Sequence, residues 1–92
     1  MFINCQNNSD FVVYVLYSSK HDKIYIGFTT NLISRFYSHN LLSNKGWTIK
    51  YRPWEVVYIE FYKYKDEALR REKELKSHKG RDFIRKYIKN NY

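Results

Sequence analysis

Arg35 and His39 stand four residues apart, so on a helix they share one side, one turn from each other. Arginine offers a planar fork of donors that suits phosphate oxygens. Histidine donates to phosphate or moves a proton near neutral pH. A solvated polar stripe is the plainer account of that spacing taken alone. Glu72 lies four residues after Ala68, three after Leu69 and three before Leu75. Those positions share one helical face, and it is apolar. A carboxylate there is costly unless it is paired, hydrogen-bonded or bound to a metal. A pair with Lys76, its i+4 neighbour, satisfies it without any function. Tyr14 and Tyr25 make the third set. Both fall in strand-like runs, and Tyr25 shares a face with Gly27, whose missing side chain leaves room for a ligand or a backbone. Two half-buried core aromatics are the ordinary alternative.

The elements that must position these residues follow from patterning. Phe11 to Tyr17 is continuously apolar and β-branched, which predicts a strand buried on both faces. Ser18 to Lys23 reads as a polar turn and Ile24 to Phe28 as a second strand, together a hairpin. Thr29, Thr30 and Asn31 carry oxygens that bond free backbone N–H groups, so a helix is expected from there to about Leu41. Leu42 to Pro53 reads as a loop. Trp54 to Tyr62 reads as a third strand, with Val56, Tyr58 and Glu60 alternating with Val57, Ile59 and Phe61. Asp66 to about Ser77 reads as a helix with acids early and bases late, matching its dipole. Lys79-Gly80 reads as a break before a last helix, Arg81 to Asn90. The order β-β-α-β-α-α predicts an α+β fold, a three-stranded, mainly antiparallel sheet flanked by helices.

At 92 residues the chain has room for one domain, expected over 11–92, behind a polar lead-in at 1–10. Hydrophobic residues at 43% and aromatics at 20% exclude a disordered chain. One cysteine, Cys5, excludes an internal disulfide framework and fits a reducing cytoplasm. No apolar run is long enough to span a bilayer, and no secretory signal is visible. The net charge is +8, and 11 basic against 5 acidic residues from Lys63 onward supply six of those charges. So basic a small chain predicts an anionic partner, nucleic acid before an anionic membrane surface. A merely soluble, lysine-rich surface fits the charge equally well.

The separate signals fall in a recognisable order. The chain resembles the GIY-YIG nuclease domain. Tyr25-Ile26-Gly27 is the literal second triplet, and with Thr29, Asn31, Leu32, Arg35 and His39 it is similar to the stretch YIG-x-T-x-N-L-x-x-R-x-x-x-H. The first triplet is degenerate, Val12-Val13-Tyr14, and keeps its tyrosine alone. Phe28 stands where some members place a lysine. Ala68-Leu69-Arg70-Arg71-Glu72 looks like the helix bearing the family's metal-binding glutamate. Arg52-Pro53-Trp54, Lys73 to Lys76 and Gly80-Arg81 resemble the small single-domain bacterial members. The likeness runs from about Phe11 to Ile88.

The resemblance implies a metal-dependent endonuclease that hydrolyses DNA phosphodiesters. By it, Glu72 holds one Mg²⁺ or Mn²⁺, Arg35 holds the scissile phosphate, and His39 supports the phosphate or a tyrosine. Tyr25 is the first choice for general base on water, with Tyr14 as orienting partner or alternate base. Either needs a hydroxyl made more acidic, which Arg35 and the metal would favour. The expected partner is branched, flap or duplex DNA in cytoplasmic repair or recombination, with no membrane and no small-molecule cofactor. Lys76, Lys79, Arg81 and Arg85 are the expected outlying phosphate contacts. The competing class is a nucleic-acid-binding module of the same fold that does not cut. An inert structural or dimerising domain is the third.

Overall fold

The computed structural model describes residues 11–37, 39–40 and 46–92. The expected lead-in at 1–10 lies outside them, as do Leu41 and the start of the expected loop.

Three antiparallel strands, β1 (Phe11–Ser18), β2 (Lys23–Thr29) and β3 (Glu55–Tyr62), form one sheet in the order β2-β1-β3. The continuously apolar strand takes the centre because it alone can be covered on both faces. Val12 through Leu16 are buried without exception. Period-two alternation then sorts two cores. Val13 and Val15 pack with Ile24, Ile26, Val57, Ala68 and Leu75 on one face. Val12, Tyr14 and Leu16 pack with Trp54, Tyr25 and Phe36 on the other.

Helix α1 (Leu32–Tyr37) and a short 3₁₀ helix, Trp47–Tyr51, cover the Tyr14 face. Asn31 caps α1: its Oδ1 accepts from the Ser34 N–H at 3.1 Å, and Thr29 Oγ1 accepts from the Asn31 N–H at 3.0 Å. The start of α1 thus agrees with its sequence signals. The loop expected from Leu42 to Pro53 contains the 3₁₀ helix instead. Five residues are too few to show a period.

Helices α2 (Lys65–Lys76) and α3 (His78–Asn91) cover the other face. Ala68 and Leu75 point inward, while Leu69 is 40% exposed. The inward stripe is therefore Ala68–Glu72–Leu75, one position away from Leu69. The break between these helices sits at Ser77 rather than at Lys79-Gly80. Ser77 Oγ donates to the Glu74 carbonyl at 2.5 Å and accepts from the Gly80 N–H at 3.2 Å, so one hydroxyl serves both helix ends. Gly80 lies inside α3. A Cβ there would fall 2.2 Å from the Glu74 carbonyl oxygen, so glycine permits the close crossing rather than ending a helix.

The third strand departs from simple alternation. Val15 pairs with Tyr58 but Leu16 pairs with Val56, so Val57 is an extra residue in a bulge. Val57 and Tyr58 then both face α2 and α3, and Val56 faces the Tyr14 core.

Candidate active site

Tyr14 lies across the sheet from Gly27. Its phenol leans over that glycine so closely that a Cβ would fall 2.5 Å from the hydroxyl oxygen and 2.7 Å from Cζ. The space expected for a ligand beside Tyr25 is thus filled by Tyr14. The two tyrosine rings are 6.2 Å apart, centroid to centroid. Tyr14 is fully buried, and Tyr25 is half-buried.

His39 arrives from beyond the end of α1 and stands between them. Its Nε2 is 3.0 Å from the Tyr14 hydroxyl, and its ring centroid is 4.5 Å from that of Tyr25. Its Nδ1 is 3.2 Å from Thr48 Oγ1. Three further bonds hold this segment. Arg52 Nε donates to the His39 carbonyl at 2.6 Å. The Asn40 amide donates to the Trp54 carbonyl at 2.9 Å and accepts from the Trp54 N–H at 2.6 Å. Burial, and then the charges of Arg35 and Arg52, hold His39 below the usual histidine value, so the ring is neutral at pH 7.

Arg35, in the last turn of α1, reaches the same place. Its guanidinium interacts with the Tyr14 hydroxyl and, less strongly, with that of Tyr25, and the Tyr14 interaction raises its value further. Burial pushes the Tyr14 hydroxyl up to about 12, against the opposing influence of Arg35. At Tyr14 the expected acidification is therefore reversed: desolvation of a fully buried phenolate outweighs one cation.

Glu72 comes from the inward stripe of α2. Its negative charge also acts on the Tyr14 hydroxyl. Its side chain is 19% exposed, and Oε2 is 3.1 Å from Lys76 Nζ. Among the described residues, no three His, Cys, Asp or Glu side chains cluster as a metal cage. A single, partly hydrated carboxylate nonetheless suits Mg²⁺, which keeps several waters and takes phosphate oxygens.

A groove of about 630 Å³ opens beside Tyr25, lined by Lys23, Trp47, Lys76, Arg81 and Arg85. Lys76 and Arg81 are thus beside the tyrosine. Arg81 also bonds the Lys76 carbonyl at 3.1 Å, closing the end of α2. Arg85 is committed to the hairpin turn, with bonds of 2.6 Å to Asp22 Oδ1 and 3.1 Å to the Asp22 carbonyl. Lys79 lines a different groove, with Arg70, Lys73 and Phe83 at the α2–α3 junction.

Sequence reasoning did not single out Trp47 or Thr48. Trp47 leaves 46% of its surface exposed on the rim of the basic groove, packed on Tyr51 and Trp54. An indole next to a basic run was the one available signal. Thr48 touches His39 across nine positions of sequence, a separation that no spacing rule covers. Among the described residues, no helix is long and apolar enough to cross a membrane.

Comparison with known proteins bears on this arrangement. The family model for the GIY-YIG catalytic domain matches residues 10–88. The chain is 38% identical over 65 residues to the UPF0213 protein SH2523 of Staphylococcus haemolyticus, covering 71% of this chain and 78% of that protein. It is 36% identical over 69 residues to the UPF0213 protein NP_0776A of Natronomonas pharaonis, covering 75% and 80%. No solved structure matches.

Proposed function

The chain belongs to the GIY-YIG catalytic domain family, and from that premise we propose that it is a metal-dependent endonuclease acting on DNA in the cytoplasm. The observation that carries this is convergence. Tyr14, Tyr25, Arg35 and His39 come from β1, β2, α1 and the segment beyond α1, yet the Tyr14 hydroxyl bonds His39, the Tyr25 ring packs beside His39, and the charges of Arg35 and Glu72 both act on the Tyr14 hydroxyl. Packing alone gives no reason for a buried hydroxyl to lie under the influence of these groups close to a basic groove.

Each residue then takes a role that its surroundings support. Arg35 is charged and lies beside the Tyr14 hydroxyl, and it holds the scissile phosphate and offsets the charge gained in the transition state. Tyr25 acts as its phenolate: it releases its own proton to solvent and then takes the proton of the attacking water, a role open to it because it is half-buried while Tyr14 is sealed from solvent. Tyr14 orients Arg35, and neutral His39 accepts a hydrogen bond from the Tyr14 hydroxyl. Glu72 holds Mg²⁺ or Mn²⁺, and the bound ion supplies Lewis-acid stabilisation of the leaving oxygen. The groove beside Tyr25 takes the flanking strand of a branched, flap or duplex substrate, such as arises in repair or recombination. Trp47 offers that strand a face on which a base stacks.

One observation favours a second reading, a module that binds nucleic acid without cutting. Lys76 already satisfies Glu72, so the carboxylate does not need a metal. The test is a panel of labelled duplex, flap, splayed and four-way DNAs with Mg²⁺ or Mn²⁺, then with chelator. Cleavage that chelator stops and Glu72→Ala abolishes supports the nuclease. Binding to the same DNAs without any cut supports the module.

A further inference from the structure

We infer that Thr48 is a positioning residue: it fixes His39 as the Nδ1–H tautomer, and so turns the Tyr14 hydroxyl to present its lone pairs to Arg35. This deepens the nuclease reading and rests on it for the catalytic consequence alone.

The direction of the chain follows from what each group can donate. The positive charge of Arg35 acts on the Tyr14 oxygen and favours its lone pairs, not its proton, on that side. The Tyr14 hydroxyl has one proton, and no part of the residue reaches solvent. The acceptor in reach is His39 Nε2, 3.0 Å away. That nitrogen must then be unprotonated, and neutral imidazole carries its proton on Nδ1. Nδ1 faces Thr48 Oγ1 at 3.2 Å, and both residues are buried, so the threonine oxygen is what satisfies that N–H. With the other tautomer, His39 would donate to the Tyr14 oxygen instead of accepting from it, and the buried phenol proton would lose that acceptor.

Thr48 is itself held in place. Its carbonyl accepts from Trp54 Nε1 at 2.9 Å, and the Trp54 backbone is clamped by Asn40, the neighbour of His39. The circuit His39–Asn40–Trp54–Thr48 thus closes on itself and leaves the hydroxyl little freedom. Around the ring, Tyr25 packs at a tilt with centroids 4.5 Å apart, and the charges of Arg35 and Arg52 act on it.

The test uses the full chain, first without metal or DNA. Long-range ¹H–¹⁵N spectra of the wild-type protein should show His39 with a protonated Nδ1 and a bare Nε2. Thr48→Val keeps the shape and removes the acceptor, and it should lose that pattern; Thr48→Ser should keep it. In cleavage assays Thr48→Val should lower kcat by about 10- to 100-fold, the usual effect of removing an outer-shell partner. Its KM for DNA should stay within about twofold, and Thr48→Ser should restore the rate. A protonated Nε2 in the wild type overturns the inference, whatever the fate of the variants. So does a Thr48→Val protein that keeps both the nitrogen pattern and the rate. If the wild type cuts no DNA, the nuclease reading fails, and the nitrogen pattern still decides the role of Thr48.

Discussion

Gly27 and Tyr14 occupy each other's space: the phenol lies where any side chain at position 27 would have to be. The glycine of the Tyr25-Ile26-Gly27 triplet is therefore a packing requirement imposed from the neighbouring strand. It lets the Tyr14 hydroxyl sink to the level of His39 and Arg35.

Gly27→Ala should push the Tyr14 ring out of place. Overpacking of this kind costs about 1–3 kcal/mol. For a domain of this size each kilocalorie lowers Tm by roughly 4–8 °C. Tyr14→Phe in the same chain removes the 2.5 Å clash but keeps Cζ at 2.7 Å, so it should restore only part of the loss. Thermal melts of the three variants check this. A Gly27→Ala protein as stable as wild type would mean that the phenol has somewhere else to go.

In the proposed mechanism Lys76 and the metal compete for the Glu72 carboxylate. The pair is half-open to water on the lysine side, so it adds at most about 1 kcal/mol of stability. Lys76→Met should barely change Tm. It should lower the Mg²⁺ or Mn²⁺ concentration at half-maximal cleavage, because it frees one carboxylate oxygen and removes a nearby positive charge. The same change should weaken DNA binding. Glu72→Ala should abolish metal-dependent cleavage and keep or tighten binding. Metal titrations of cleavage, with binding measured in chelator, separate these effects.

His39 gives a pH dependence with a definite sign. Its value in the folded protein is lowered by burial and by the Arg35 and Arg52 charges. The unfolded chain therefore takes up the proton first as pH falls below about 6.5, the ordinary histidine value. The stability that the neutral ring contributes is complete above that value. It declines as pH falls toward the lowered folded value. Cleavage should fall on the same side, since a protonated ring can no longer accept from Tyr14. Tm measured between pH 7.5 and 5 should slope less steeply for His39→Gln than for wild type. Equal slopes would remove His39 from the balance.

How far the sequence foretold this arrangement depends on how local each feature is. The strand pairing and the Asn31 cap were legible because hydrophobic period and capping oxygens act within a few residues. Arg35 and His39 were singled out by their spacing, but α1 ends at Tyr37, and what brings them together is Tyr14, 21 residues before Arg35 in the chain. Tertiary fit was the hidden part. The bulge at Val57 depends on how β3 meets β1. The helix break depends on a hydroxyl at Ser77 that serves two helix ends, and glycine was the misleading signal. Thr48 lay in a stretch whose turn is too short to show any period.

Lys79 and Arg81, two residues apart, lie in different grooves, and this divides their expected effects on DNA. Arg81 shares its groove with Tyr25, Lys23 and Lys76, so Arg81→Ala should lower the salt slope of binding by about one, as loss of one phosphate contact does. Lys79 faces the α2–α3 junction, away from Tyr25, so Lys79→Ala should leave slope and affinity nearly unchanged. Trp47 shares the Tyr25 groove but carries no charge. Trp47→Ala should therefore weaken binding without changing the slope, by about 1–3 kcal/mol for a substrate that stacks an unpaired base on it. Titrations of splayed and fully paired DNA at several salt concentrations distinguish the three. The Trp47 loss should be confined to the splayed substrate, because a paired base stays within its own stack. If Lys79→Ala lowers the slope and Arg81→Ala does not, the DNA follows the α2–α3 junction, and the groove beside Tyr25 is not its path.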